Sequence, residues 1–163
     1  MKKTKTVMVS VCALMLLALL AACGGAKVKD DVPVSELSAD VDLAIGNEGD
    51  LVSAPESYLS SLMALDFSAN PEYVVKINSR GVNIDEYGIF KAGSEQDVSE
   101  LESIVKGYIQ RRLDTWMPEY MPEELPKLEN AQVKTLGNYV MYTILSDTQR
   151  AEAVTALETG LSA

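Results

Sequence analysis

Four stretches of the chain carry apolar residues at helical spacing and are predicted to form helices. The first covers residues 34–45, where Pro33 suits a first helical position. The second is a short helix opened by Pro55. The third and longest follows Ser94, and the fourth follows Asp147, two residues whose side chains suit a helix cap. The apolar faces that these spacings predict are Val34, Leu37, Val41 and Ile45; Tyr58, Leu59, Leu62, Met63 and Leu65; Val98, Leu101, Ile104, Val105, Tyr108, Ile109, Leu113 and Trp116; and Ala151, Val154, Leu157 and Leu161.

Two pairs of strand-forming segments each flank a turn. The first turn surrounds Gly81, and the second is Gly137-Asn138, a pair that favours hairpins because both residues tolerate positive φ. The strands that this pattern predicts are 73–77, 84–92, 132–136 and 139–146.

The order of these elements, α-α-β-β-α-β-β-α, predicts an α+β fold. We expect a four-stranded antiparallel sheet built from two β-hairpins, packed on one face with two short N-terminal helices, one long central helix and a C-terminal helix. Residues 47–53 are expected to form a loop. Prolines in the stretch 117–129 forbid a continuous helix, which predicts an ordered loop with a single turn near Glu123.

The first 22 residues have the pattern of a signal peptide. Lys2, Lys3 and Lys5 precede an apolar run from Val7 to Leu20 that is too short for a membrane span of about 20 apolar residues. We therefore expect a leader at 1–22, a lipidated cysteine and flexible tether at 23–32, and a single α+β domain at 33–163.

The end of the leader identifies its type. Leu20, Ala21, Ala22 and Cys23 resemble the lipobox of bacterial lipoproteins, in which the cysteine sulfur receives a diacylglycerol and the chain is cut just before it. An ordinary secretory signal with an unmodified Cys23 is the alternative. The lipobox predicts a protein on the extracytoplasmic face of the cell membrane, held there by the lipid on Cys23.

Composition excludes several functions. The chain has no histidine, and its only other cysteine, Cys12, lies in the leader, so zinc hydrolase and Ser-His-Asp mechanisms are excluded. The leader holds three of the 14 Lys and Arg and none of the 24 Asp and Glu, which leaves a mature formal charge of −13. Such a charge disfavours nucleic acid as a partner. No cofactor is expected.

Two distinctive segments carry a resemblance to a known family. The segments are Asn83–Ala92 and the stretch that runs from Leu125–Val133 to Gly137–Val140. Together with the lipobox leader they resemble DUF4358, a family of uncharacterised lipoproteins found mostly in Gram-positive anaerobes. The resemblance implies a surface lipoprotein and assigns no substrate, cofactor or catalytic residue.

Acidic residues are the candidate chemical groups of the mature chain. Asp85 and Glu86 are adjacent on a predicted strand, so they point to opposite faces and suit a structural role, such as pairing with Lys91 or Arg80, better than acid-base catalysis. The acids of the proline-rich loop could gather around a hard cation such as Ca²⁺, but their spacing does not resemble an EF-hand loop. We therefore expect a solvated acidic loop and no metal site. These loop acids are Glu119, Glu123, Glu124 and Glu129.

The end of the long helix and the following loop hold the candidate binding residues. Trp116, Met117, Tyr120 and Met121 combine aromatic rings with thioethers, a mixture that suits a platform for a peptide, a glycan or a partner protein. The same residues also suit packing at the open end of the core. Both interpretations remain open from the sequence.

These observations favour a non-catalytic binding or scaffolding domain at the cell envelope, with another protein or a cell-wall component as its partner. One alternative is an accessory subunit of a membrane transporter or secretion complex, which the short tether would suit. Another is a glycan hydrolase that uses carboxylates alone, which would need two acids about 5 to 9.5 Å apart in a cleft.

Overall fold

The computed structural model describes residues 27–63, 72–117 and 119–163. The leader, the lipobox and Cys23 lie outside the described residues. Ten elements follow in chain order: α1 Val34–Ala44, β1 Leu51–Ser53, α2 Glu56–Met63, β2 Glu72–Asn78, β3 Glu86–Lys91, α3 Glu95–Asp114, α4 Leu125–Glu129, β4 Gln132–Leu136, β5 Tyr139–Ile144 and α5 Asp147–Leu161. None of the helices in these ranges is long and apolar enough to cross a bilayer.

The strands form one antiparallel sheet of five strands in the order β1-β2-β3-β5-β4. The two predicted hairpins are present, and the pairing of β3 with β5, from Glu86 opposite Ile144 to Lys91 opposite Tyr139, joins them. The predicted count of four strands is wrong, because Leu51–Ser53 adds a short edge strand to β2 inside the stretch predicted as a loop.

Helices cover both faces of the sheet, which corrects the expectation of a single covered face. One face packs Phe90, Val140 and Tyr142 against α2, α3 and α4. The other packs Tyr87, Ile89 and Met141 against α1 and α5. Because side chains alternate along a strand, β3 and β5 supply apolar residues to both cores.

Two local predictions differ from the structure. The stretch predicted as a loop contains the short helix α4, in which Pro126 occupies the first turn, where its missing N–H costs no hydrogen bond. The cap of α5 is Ser146, whose hydroxyl accepts from the Gln149 N–H at 3.4 Å, while Asp147 is the first helical residue. The predicted cap of the long helix is present, since the Ser94 hydroxyl accepts from the Asp97 N–H.

Residues 27–32, at the start of the described chain, contact the C-terminal end of the protein. The Lys29 N–H donates to the Leu161 carbonyl at 2.9 Å, and the Ala163 N–H donates to the Lys27 carbonyl at 3.1 Å. The Tyr139 hydroxyl donates to the Val32 carbonyl at 2.6 Å. The chain therefore enters the described fold beside the end of α5 and the start of β5.

Candidate functional site

A cleft of about 350 Å³ opens at one end of the strands, on the face covered by α2 and α3. Its walls come from the end of β2, the connection to β3, the start of β3, the end of α3 and the segment that follows α3. The lining residues are Tyr58, Ile77, Asn78, Asn83, Ile84, Asp85, Glu86, Arg112, Thr115, Trp116, Met117 and Tyr120. The volume lies at the lower end of the range of about 300 to 1,000 Å³ that is typical of small-ligand sites.

Glu86 forms the polar base of the cleft and is only 2% exposed. One carboxylate oxygen accepts from the hydroxyls of Tyr108, at 2.8 Å, and of Tyr142. The other accepts from Arg112 Nη1 at 2.5 Å and from the Tyr58 hydroxyl at 3.4 Å. The four acceptor positions of an ionised carboxylate are thus all used, which is what a buried charge requires.

Arg112 is the counterion of Glu86 and is more accessible, with 23% of its side chain exposed. It reaches Glu86 from the last turn of α3, one turn beyond Tyr108, whose hydroxyl also accepts from Arg112 Nη1. Burial acts against the charged form of Arg112 and lowers its pKa, but the Glu86 carboxylate, together with Tyr108 and Tyr58, outweighs burial and leaves the pKa of the guanidinium raised. Arg112 Nε and Nη2 have no hydrogen-bond partner among the described residues.

The three tyrosines around Glu86 are held in their neutral form. Burial raises the pKa of Tyr58, Tyr108 and Tyr142, and the negative charge of Glu86 raises each pKa further. The raised pKa values keep the three tyrosine hydroxyls protonated, which is the form that can donate to Glu86.

Asp85 directly precedes β3, and its side chain points to the opposite face of the sheet from Glu86. It forms an ion pair with Lys127. Lys127 Nζ lies 2.7 Å from Asp85 Oδ1 and 2.8 Å from Glu124 Oε2. Glu124 also accepts from the Ile84 N–H at 3.0 Å, so α4 braces the connection that leads into β3. Desolvation lowers the pKa of Lys127, but its bonds to the two carboxylates outweigh this and leave the pKa raised.

These contacts correct two expectations from the sequence. The proposed partners of Asp85 and Glu86 were wrong, because Lys91 pairs with Glu72 and Arg80 pairs with Asp50. The acidic loop is also only partly solvated. Glu119, Glu123 and Glu129 are exposed, whereas Glu124 is buried in its ion pair. No group of three metal-ligating side chains occurs within the described ranges.

Three of the four candidate binding residues line the cleft. Trp116 and Tyr120 lie with their ring centroids 6.2 Å apart at an interplanar angle of 57°, and Met117 adds an exposed thioether. Met121, with a φ of 46°, is not among the lining residues. The Trp116 Nε1–H is buried and has no partner in the part of the chain that the structure describes.

Two asparagines that line the cleft carry further donors. The side-chain oxygen of Asn78 accepts from the Arg80 N–H, and that of Asn83 accepts from the Asp85 N–H, both at 3.0 Å. These bonds orient the amides and leave both Nδ2 groups without a partner among the described residues. Sequence patterns do not single out either asparagine, since each is typical of a turn.

The sequence pattern of α3 also fails to single out Arg112, because it places this residue on the polar side of the helix. Its spacing of four residues from Tyr108 is the signal that links it to the buried network.

The fold and the cleft define an α+β domain with one antiparallel sheet between two helical layers and an aromatic and polar cleft at one end of its strands. The chain belongs to the family described as Domain of unknown function (DUF4358), whose model matches residues 46–145. The family resemblance in the sequence is therefore confirmed. The matched range contains the whole sheet and every residue of the cleft. No curated protein and no solved structure matches the chain.

Proposed function

We propose that this protein is a lipid-anchored lipoprotein on the extracytoplasmic face of the cell membrane, and that its domain binds a component of the cell envelope in the cleft. The observation that carries the binding proposal is the set of unpartnered donors that line the same cleft as a half-buried tryptophan and an exposed tyrosine. Arg112, Asn78 and Asn83 each have N–H groups without a partner among the described residues, and they line the same cleft as Trp116 and Tyr120.

The state of the cleft acids favours binding over catalysis. A general acid or base needs a lone pair or proton that can reach the substrate. Both oxygens of Glu86 are occupied by four donors, and Lys127 holds Asp85 Oδ1. Asp85 Oδ2 is then the one carboxylate oxygen of the cleft lining without a partner among the described residues, whereas glycoside hydrolysis needs two acids. Glu86 is therefore the structural centre of the cleft, and the ligand is held by the groups around it.

The point where the chain enters the described fold and the cleft lie at opposite ends of the strands. Residues 27–29 contact the C-terminus near the turn between β4 and β5, where Val28 lies against Gly137. The cleft begins at Glu86, at the other end of β3. Only Gly24, Gly25 and Ala26 separate Cys23 from Lys27. This arrangement directs the cleft away from the bilayer.

The binding proposal is tested by tryptophan fluorescence, because Trp116 is the sole tryptophan of the chain and lines the cleft. We expect cell-wall fractions to produce a saturable change in the emission of the full-length protein extracted in detergent. Tyr120→Ala should weaken this response at least tenfold, and Leu43→Ala, an exposed apolar residue on α1, should leave it unchanged. Emission that responds to no fraction would contradict binding in the cleft.

The anchor is tested separately in cells. We expect the native protein to remain with the membrane after carbonate washing and a Cys23→Ser variant to be released from it. A Cys23→Ser variant that stays membrane-bound would exclude the lipid on Cys23 as the anchor. Crosslinking in intact cells, followed by mass spectrometry, then identifies what the anchored domain contacts.

A further inference from the structure

The positive charges in and beside the cleft are already paired within the protein. Glu86 pairs with Arg112, and Asp85 shares Lys127 with Glu124. An anionic ligand would also approach the carboxylate of Asp85. Bringing an anionic group into this site carries a desolvation cost that no free positive charge offsets. The cleft therefore favours an uncharged ligand over an anionic one.

The remaining polar groups of the cleft favour a ligand rich in hydroxyl or carbonyl oxygens. Asn78, Asn83 and Arg112 line the cleft, and the Nδ2 groups of the two asparagines and the Nε and Nη2 of Arg112 have no partner among the described residues. Asp85 Oδ2 makes no hydrogen bond with the described residues, so one acceptor is also present. A hydroxyl can satisfy both kinds of group, because it accepts two hydrogen bonds and donates one.

The aromatic wall favours a ligand with a flat apolar face. Tyr120 is 51% exposed and stands beside Trp116, so their rings offer a surface that water covers poorly. The C–H groups on one face of a sugar ring carry partial positive charge and pack against the negative face of an aromatic ring. The hydroxyls at the edge of the same ring remain available to polar groups of the cleft such as Asn78 and Asn83.

We infer that the ligand of this cleft is a neutral glycan, bound with one sugar ring against Tyr120 and Trp116 and its hydroxyls bonded to Asn78, Asn83 and Arg112. This inference rests on the proposed function and specifies its ligand. A peptide fits the site less well. Extended peptides are commonly bound by adding a strand to an exposed sheet edge. The cleft instead lies at the ends of β2 and β3, where β3 is already paired on both sides.

The test uses the full-length protein in detergent and reads Trp116 emission. The probes are a cell-wall fraction that binds in the preceding test, the same fraction after periodate, which cleaves vicinal diols of sugars, and the same fraction after protease. Tetramers of β-1,4-linked glucose and N-acetylglucosamine serve as defined neutral glycans, and poly-glutamate serves as an anionic control. We expect binding to survive protease and at least one tetramer to saturate the signal. Loss of binding after periodate would assign the site to sugars with vicinal diols, such as β-1,4-linked glucose, which internal β-1,4-linked N-acetylglucosamine rings lack.

Matched variants assign the contacts. Asn78→Asp and Asn83→Asp keep the oxygen that accepts from the backbone and remove the free N–H groups, so each should weaken glycan binding by about tenfold, the value of one lost hydrogen bond. Leu43→Ala should have no effect. Binding that survives periodate and is lost after protease would overturn the glycan and indicate a peptide. Preferential binding of poly-glutamate would overturn the neutral ligand. In either case the binding function itself would stand, whereas absence of any response to the untreated fraction would refute both proposals.

Discussion

Glu86 brings a full negative charge into an almost completely buried position, where three tyrosines and Arg112 surround it. Removing one partner of a buried ion pair is costly, since the other charge is left without compensation, and such changes cost about 3 to 5 kcal/mol. We predict that Glu86→Gln lowers the free energy of unfolding by about 3 kcal/mol, at the lower end because Arg112 retains some access to water. Urea unfolding measures this loss.

The matched control for Glu86→Gln is Glu158→Gln. Glu158 pairs with Lys134 on the surface, where its side chain is 47% exposed. Exposed ion pairs contribute about 1 kcal/mol or less. Equal losses for the two variants would show that burial of the Glu86 network does not determine its contribution to stability.

At the scale of elements, β3 and α3 each contain a glycine. The two differ in the space around them, since Gly88 is tightly packed and Gly107 is not. A Cβ added at Gly88 of β3 would collide with the Tyr142 ring and lie 3.0 Å from Val75 Cγ2. A Cβ at Gly107 of α3 would meet only the flexible end of Arg111, at 3.3 Å. We predict that Gly88→Ala destabilises the protein by about 1 to 3 kcal/mol through overpacking. Gly107→Ala should stabilise it by about 0.5 to 1 kcal/mol through helix propensity. Thermal unfolding of both variants measures the difference, and a Gly88→Ala variant as stable as the native protein would contradict this packing of β3.

Periodicity predicts the elements better than their arrangement. The two strands of each hairpin and the long helix can be predicted from short stretches of sequence, because turn residues and helical spacing are patterns of only a few neighbouring positions. The three residues of β1 are too few to carry a pattern, so this strand depends on its pairing with β2. The covering of both faces does have a signal in the sequence. All six residues of β5 are buried, and the run Tyr139–Ile144 does not alternate between apolar and polar residues, which is typical of a strand with both faces covered.

The cleft was predictable only in part, for the same reason. Trp116, Met117 and Tyr120 lie close together in sequence, so their composition points to a common surface. Asn78, Asn83 and Arg112 reach the cleft from separate elements, and their proximity depends on the way that α3 packs on the sheet. A single sequence contains no local signal for that packing.

At the scale of the whole molecule, buried tyrosines link stability to alkaline pH. Burial is the main cause that raises the pKa of five of the seven tyrosines: Tyr58, Tyr87, Tyr108, Tyr139 and Tyr142. Above the usual tyrosine pKa of about 10 the unfolded chain releases these protons and the folded chain retains them. The stability that they contribute is therefore complete below about pH 10 and is lost as the pH rises further.

We predict that the melting temperature falls steeply above about pH 10, with tyrosinate absorbance appearing together with unfolding. The free energy of unfolding falls over the same pH range. Tyr58→Phe should reduce its slope by about 1.4 kcal/mol per pH unit, because one proton fewer is released on unfolding. Tyr58 suits this test because its contact with Glu86, at 3.4 Å, is the longest of the three tyrosine contacts. Tyrosinate absorbance that develops fully while the protein is still folded would contradict the burial of these hydroxyls.

The proposed lipid anchor would set the direction of the molecule at the membrane, because the anchored end and the cleft would lie at opposite ends of the sheet. The chain between Cys23 and Lys27 spans at most about 14 Å when fully extended, and residues 27–29 are bonded to the end of α5. The six residues of β3 place the cleft about 17 Å further along the strands. If Cys23 carries the lipid, the end of α5 lies near the bilayer and the cleft faces the envelope. The proposed glycan would then reach the cleft without displacing the domain.

This orientation can be measured with two single-cysteine labels on the anchored protein, since lipidation of Cys23 would leave no other thiol in the mature chain. Ser162→Cys marks the end of α5, and Val82→Cys, at a position that is 65% exposed, marks the cleft end. We predict stronger energy transfer to an acceptor lipid in the bilayer from the label at position 162 than from the label at position 82. Equal transfer from the two labels would mean that the sheet lies flat on the membrane, and stronger transfer from position 82 would place the cleft against the bilayer, where a wall glycan could not enter it.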